Sequence, residues 1–161
     1  MTHEKQVLLL QEPGGLRSAA EHLAYSVERC RDLIARKNWT LEELERLESL
    51  TNRFSRLADL LIQRVMRLVD NLELTDDGML LDRIFRAEKR GWADAAHLIK
   101  IRELRNLIAH EYANDKMPEL YAAVFQLTPT LLEAIPKVMA HANDLVLRFP
   151  YSRKHNTGTN V

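Results

Sequence analysis

Residues 38–72 read NWTLEELERLESLTNRFSRLADLLIQRVMRLVDNL, and their reading decides the fold. Thr40 followed three residues later by Glu43 is a capping box, which starts a helix at Leu41. From there Leu44, Leu47, Phe54, Leu57, Leu61, Val65, Leu68 and Leu72 recur at helical spacing, with Glu and Arg between them. No glycine or proline interrupts this run, so one long amphipathic helix is expected over about 41–72. A helix with one apolar stripe must bury it against other helices.

Working outward, the same period continues. Leu23, Val27, Cys30, Leu33 and Ile34 predict a preceding helix from about Leu16 to Lys37. Residues 1–15 read as a leader that closes on the turn signal EPGG. Beyond the long helix, TDDG is a break, with Thr75, Asp76 or Asp77 as possible caps for a third helix from about Met79 to Arg90. Gly91 suits its C-terminal cap. A fourth helix is expected from Trp92 to Ala113, and a fifth opens at Pro118. Pro129 and Pro136 predict a kink there, or two shorter pieces. Residues 150–161 are polar, lack periodicity, and read as a mobile tail. Strand signals are almost absent. The expectation is an all-α, up-and-down bundle of four to five helices spanning residues 16–149, between the leader and the tail.

Composition agrees with that class and limits the function. The 161 residues are 46% hydrophobic and 29% charged, enough for one domain with a substantial core. Lys and Arg number 23, as do Asp and Glu, so the formal net charge is zero. Any nucleic-acid contact must therefore rest on a local basic patch. The single cysteine, Cys30, excludes an intramolecular disulfide and a cysteine-based zinc cluster, and its place on a helix face suits packing. No apolar run is long enough for a signal peptide or a membrane span. The cytoplasm is the expected location, with no membrane association.

One stretch of the fourth helix is not explained by packing: RNLIAHEY, residues 105–112. On a helical wheel with Arg105 at zero, Arg102 falls at about 60°, Asn106 at about 100° and His110 at about 140°. Ile101, Ile108 and Leu104 fall on the opposite side. Ala95, Ala109 and Ala113 lie inside the polar arc, where small side chains would let a second helix approach. Tyr112 returns to within about 20° of Arg105.

Such a set suits phosphate chemistry. Arginine is a fixed cation whose fork matches phosphate oxygens. Histidine exchanges protons near neutral pH. Together they can cleave RNA: the ribose 2′-hydroxyl attacks phosphorus, a base takes its proton, a cation holds the developing charge, and an acid protonates the leaving 5′-oxygen. No acidic cluster and no HExxH spacing accompanies the motif, so no metal or cofactor is expected. One helix carries one motif arginine and one histidine. A two-fold homodimer through the fourth helix would supply two of each in a composite cleft. The plainer reading pairs Arg105 with Glu111 or with an acid on another helix, and leaves His110 near a helix C-terminus. Arg83, Arg86 and Arg90 share one side of the third helix and are candidates for RNA backbone contact.

Residues 105–112 resemble the Arg-x4-His signature of HEPN domains, in the longer Arg-x4-His-x-Tyr form of the HepT-like toxins. The polar Asn106 after the arginine, the helical bundle and the position of the motif in the penultimate long helix fit the same family. The resemblance covers roughly Leu16 to Leu147. It implies a metal-independent endoribonuclease toxin of a toxin–antitoxin system, acting on RNA as a homodimer. Arg105 and His110 would be catalytic, with Asn106 and Arg102 supporting. Tyr112 would be the residue to which a minimal nucleotidyltransferase antitoxin transfers AMP, silencing the toxin. The alternative is a catalytically silent helical partner, or substrate-binding subunit, of a nucleotidyltransferase.

Overall fold

In the computed structural model the described residues are 3–73, 75, 78–110 and 117–149. Among them there are five helices and no strand. We label them α1 (His3–Cys30), α2 (residues 41–72), α3 (Leu80–Lys89), α4 (Ala95–His110) and α5 (Met117–Arg148). α2 packs against α1, α4 and α5, α5 also packs on α1 and α4, and α3 joins the end of α2 to α4.

α2 begins as its sequence dictates. The Glu43 N–H donates to Thr40 Oγ1 at 3.2 Å, and Glu43 Oε2 accepts from the Thr40 N–H at 2.9 Å. Leu47, Leu50, Phe54 and Leu57 are fully buried. The helix then departs from the α form: after the α-helical stretch Leu41–Asp59, residues Leu60–Val65 form a π turn, before Met66–Leu72 resumes. The sequence supplies the reason. Phe54, Ala58, Ile62, Met66 and Asp70 are all buried, and each is four residues from the last. On an α-helix each step of four drifts about 40°, so the end of the series would have turned about 160° away from the core. A wider turn takes up that drift and keeps the series inward. The Met66 N–H donates to Leu61 O, five residues back. The carbonyl of Ile62, which Met66 would meet in an α turn, accepts instead from Arg83 Nη1 at 3.2 Å.

α1 differs from the expectation at both ends. It starts at His3 and runs through Pro13, Gly14 and Gly15 without a turn, and it ends at Cys30 rather than Lys37. Leu9, Pro13, Leu16, Ala19 and Leu23 are buried at helical spacing. Burial along that stripe outweighs the poor helix propensity of the PGG triplet. Residues 3–15 are therefore an integral part of the bundle, not a detached leader. The chain after Cys30 is pinned by Trp39, whose Nε1 donates to Leu33 O at 2.9 Å and whose ring meets Tyr121 edge-on at 5.4 Å.

α3 opens at Met79, whose N–H donates to Asp82 Oδ2 at 2.6 Å. Thr75 does not cap it; its hydroxyl donates to Asp70 O at 3.3 Å. Asp76 and Asp77 lie outside the described residues. Gly91, at φ +75°, closes α3 as expected, with the Trp92 N–H on Ala87 O at 3.1 Å and the Gly91 N–H on Glu88 O at 2.9 Å. α5 is one helix of 32 residues despite Pro129 and Pro136. Both prolines are exposed, and four residues before each sit the carbonyls of Phe125 and Leu132 that lose a donor. Val124, Leu131, Ile135 and Val138 keep the buried face continuous past both prolines.

Candidate functional site

α4 is anchored by Leu98, Ile101, Leu104 and Ile108, all buried. Its other side carries Arg102 and Arg105, partly buried, and Asn106, Ala109 and His110, exposed. The two faces expected from the wheel are thus both present. Ala95 departs from that picture: at 4% exposure it packs into the core rather than lining a polar arc.

Arg105 reaches across to α2. Its Nε donates to Asp59 Oδ1 at 2.7 Å and its Nη2 to Asp59 Oδ2 at 2.8 Å. This is the fork-to-fork arrangement in which arginine and carboxylate fix each other's orientation. The bond to Asp59 raises the Arg105 pKa above its ordinary value, so the guanidinium is a permanent cation. Asp59 is the last residue before the π turn. Nη1 and the outer Nη2 hydrogen of Arg105 remain for another acceptor.

Beside this pair is a cavity of about 520 Å³ between α2 and α4. The α4 wall is Arg102, Arg105 and Asn106; the α2 wall includes Arg56, Asp59, Gln63 and Arg64, with Ala58, Leu60 and Ile62 as its apolar part. Arg64 is paired with Glu12 of α1 at 2.8 Å. Arg56 and Arg102 have no ion-pair partner among the described residues. Four arginines therefore face one aspartate in this cavity.

Of the residues expected to form the site, Arg102, Arg105 and Asn106 come together here. His110 is exposed on α4 and does not line the cavity. Tyr112, and with it Glu111 and Ala113, lies outside the described residues. Arg83, Arg86 and Arg90 do share one side of α3, but that side faces inward, onto the fully buried Asp70. Arg86 Nη2 lies 2.9 Å from Asp70 Oδ2, Arg90 Nη1 lies 2.7 Å from Oδ1, and Arg83 Nε is at 3.6 Å. Arg90 also pairs with Glu73 and sits 5.0 Å from the centre of the Trp92 ring. Glu73 in turn meets His141 Nε2 at 2.7 Å, and the His141 ring stands edge-on to Trp92 at 5.2 Å. The α3 arginines are tied into a partly buried network that joins α2, α3 and α5.

Asp59, Arg56, Gln63 and Arg64 were not singled out by the sequence pattern. Their signal is indirect: the four-residue spacing across 54–70 forces the π turn that they flank or occupy. No group of three or more His, Cys, Asp or Glu side chains is placed to hold a metal among the described residues. No described helix is long and apolar enough to cross a membrane. No family model, curated protein or solved structure matches this chain.

Proposed function

We propose that this chain is a metal-independent endoribonuclease toxin of the HEPN type, cytoplasmic, built as an up-and-down bundle and working as a two-fold homodimer. The observation that carries the reading is Arg105. It is fixed by Asp59, keeps free donors, and borders a cavity shared with Arg102 and Asn106. A guanidinium held in place needs no reorganisation when charge develops on a phosphorane-like transition state.

Each residue has a role in this reading. The 2′-oxygen forms a bond to phosphorus as the bond from phosphorus to the 5′-oxygen breaks. Arg105 holds the non-bridging oxygens, supported by Arg102 and Asn106. One His110 takes the 2′-hydroxyl proton and the second, from the other copy, gives a proton to the leaving 5′-oxygen. The products are a 2′,3′-cyclic phosphate and a 5′-hydroxyl. Within one chain, about 140° of helix separates His110 from Arg105, so a single copy does not bring acid and cation together. The exposed Asn106, Ala109 and His110 fall within about 100° of one another on α4, and the small Ala109 between Arg105 and Asn106 suits association through that side. Tyr112 is the proposed acceptor of AMP from a partner minimal nucleotidyltransferase. The added phosphate and adenosine would occupy the cleft and silence it.

Arg105→Ala and His110→Ala should each lower RNA cleavage by about a hundredfold or more. Cleavage should persist in EDTA and leave cyclic phosphate ends. Full activity in either variant, or a strict metal requirement, overturns the mechanism. Mass spectrometry of the protein co-expressed with its partner tests the AMP step, since a neutralised complex with unmodified Tyr112 would mean inhibition by occlusion.

The second reading is a silent helical partner or substrate-binding subunit of a nucleotidyltransferase. It is favoured by the Asp59–Arg105 pair itself, because an ordinary inter-helix ion pair already accounts for that arginine. Toxicity on expression that is lost in His110→Ala separates the two, since a silent partner does not need the histidine.

A further inference from the structure

We infer that the α2 wall of the cavity, centred on Arg56, holds the RNA backbone beside the scissile phosphate, so that one strand lies between Arg56 on α2 and Arg102 on α4. This rests on the ribonuclease reading and adds a binding residue to it. Of the cavity's charged residues, Asp59 is paired with Arg105, and Arg64 with Glu12 of α1. Arg56 and Arg102 are what is left over, one on each wall. On a chain whose formal net charge is zero, that is a local positive excess placed beside the proposed reaction centre.

The lining chemistry also says how the strand is read. None of the lining residues is aromatic, so no ring platform holds the bases. The cations reach phosphates, and phosphate contacts carry no sequence information. Gln63 and Asn106 are amides whose N–H groups can donate to ribose oxygens from opposite walls. The site therefore takes single-stranded RNA by its backbone, tolerantly of sequence and with strong salt dependence.

The test uses the full chain and 2′-O-methyl single-stranded RNA, which has no attacking hydroxyl and so reports binding alone. Fluorescence anisotropy over a range of salt gives affinity and slope. Arg56→Ala should weaken binding to a similar degree on oligonucleotides of different sequence and reduce the salt slope by about 0.7, the share of one phosphate contact on a single strand. Arg17→Ala, an exposed α1 arginine that does not line the cavity, should leave the slope unchanged. On a cleavable strand, Arg56→Ala should raise KM with kcat unchanged. Wild-type affinity and slope in Arg56→Ala overturn the inference, as does a wild-type protein that does not bind the strand. A wild-type protein that binds with the Arg56-dependent slope but never cuts supports this site and removes the ribonuclease reading. Cleavage that is indifferent to Arg56 does the reverse.

Discussion

Asp59 and Arg105, 46 residues apart in the chain, share two parallel hydrogen bonds of 2.7 and 2.8 Å that tie α2 to α4 at the start of the π turn. The two side chains are 42% and 32% exposed, so the pair contributes little to stability; about 1 kcal/mol or less is the expectation. Its larger effect is on orientation. Asp59→Ala should leave the protein folded and lower kcat for RNA cleavage by roughly tenfold to a hundredfold, because Arg105 loses its fixed pose. KM should stay level or fall, since a negative charge has left the cavity. Urea denaturation and steady-state kinetics check both parts, and an unchanged kcat would show that Arg105 does not depend on Asp59.

Asp70 is the opposite case. It is fully buried, and Arg83, Arg86 and Arg90 surround it at 12–22% side-chain exposure. Removing one partner of such a set leaves charge in a poorly hydrated site. Asp70→Ala should destabilise the protein by about 3 kcal/mol or more, read as a lower urea midpoint. Asp70→Asn, which keeps the volume but not the charge, should also destabilise it. A midpoint within error of wild type in both would show that the arginines are satisfied elsewhere.

The sequence carried the helices better than their limits or their charges. The stripes of α2 and α4 are legible because burial follows the helical period directly. The PGG triplet in α1 and the two prolines of α5 mislead because local propensity is a small quantity beside the burial of Leu9, Leu16, Val124 and Leu131. The π turn was written in the run of buried residues four apart, although a search for α periodicity passes over it. At the site, the clustering of Arg102, Arg105 and Asn106 follows from one helix and could be read. The partner of Arg105 could not, since nothing local links it to Asp59. For the same reason the shared side of Arg83, Arg86 and Arg90 was visible, but Asp70 as its destination was not; the hint was an acid that continues the four-residue series of Phe54, Ala58, Ile62 and Met66.

Glu73 ties this network to acid sensitivity. Burial pushes its carboxyl up, but the hydrogen bonds from His141 and Arg90 outweigh this and hold its pKa below the ordinary 4.5. A depressed folded-state pKa means stability that is present above the unfolded value and lost as pH falls through the folded one. Part of the stability should therefore disappear as pH drops below 4.5. Glu73→Gln should lower stability at neutral pH and flatten that part of the profile. Parallel profiles for wild type and variant, from urea melts across the acid range, would remove Glu73 from the account.

The proposed dimer makes the sharpest demand on α4. Ala109 is exposed on the same side as Asn106 and His110. If two copies meet through this side, the space at Ala109 is what allows close approach. Ala109→Trp then obstructs the contact without disturbing the core, because its side chain points away from Leu104 and Ile108. It should give a folded monomer with cleavage lost together with dimerisation. Sedimentation equilibrium and cleavage assays on the same samples decide the matter. A wild-type protein that is fully active as a monomer, or an Ala109→Trp variant that stays dimeric and active, would mean that Arg105 and His110 do not work across a pair of α4 helices.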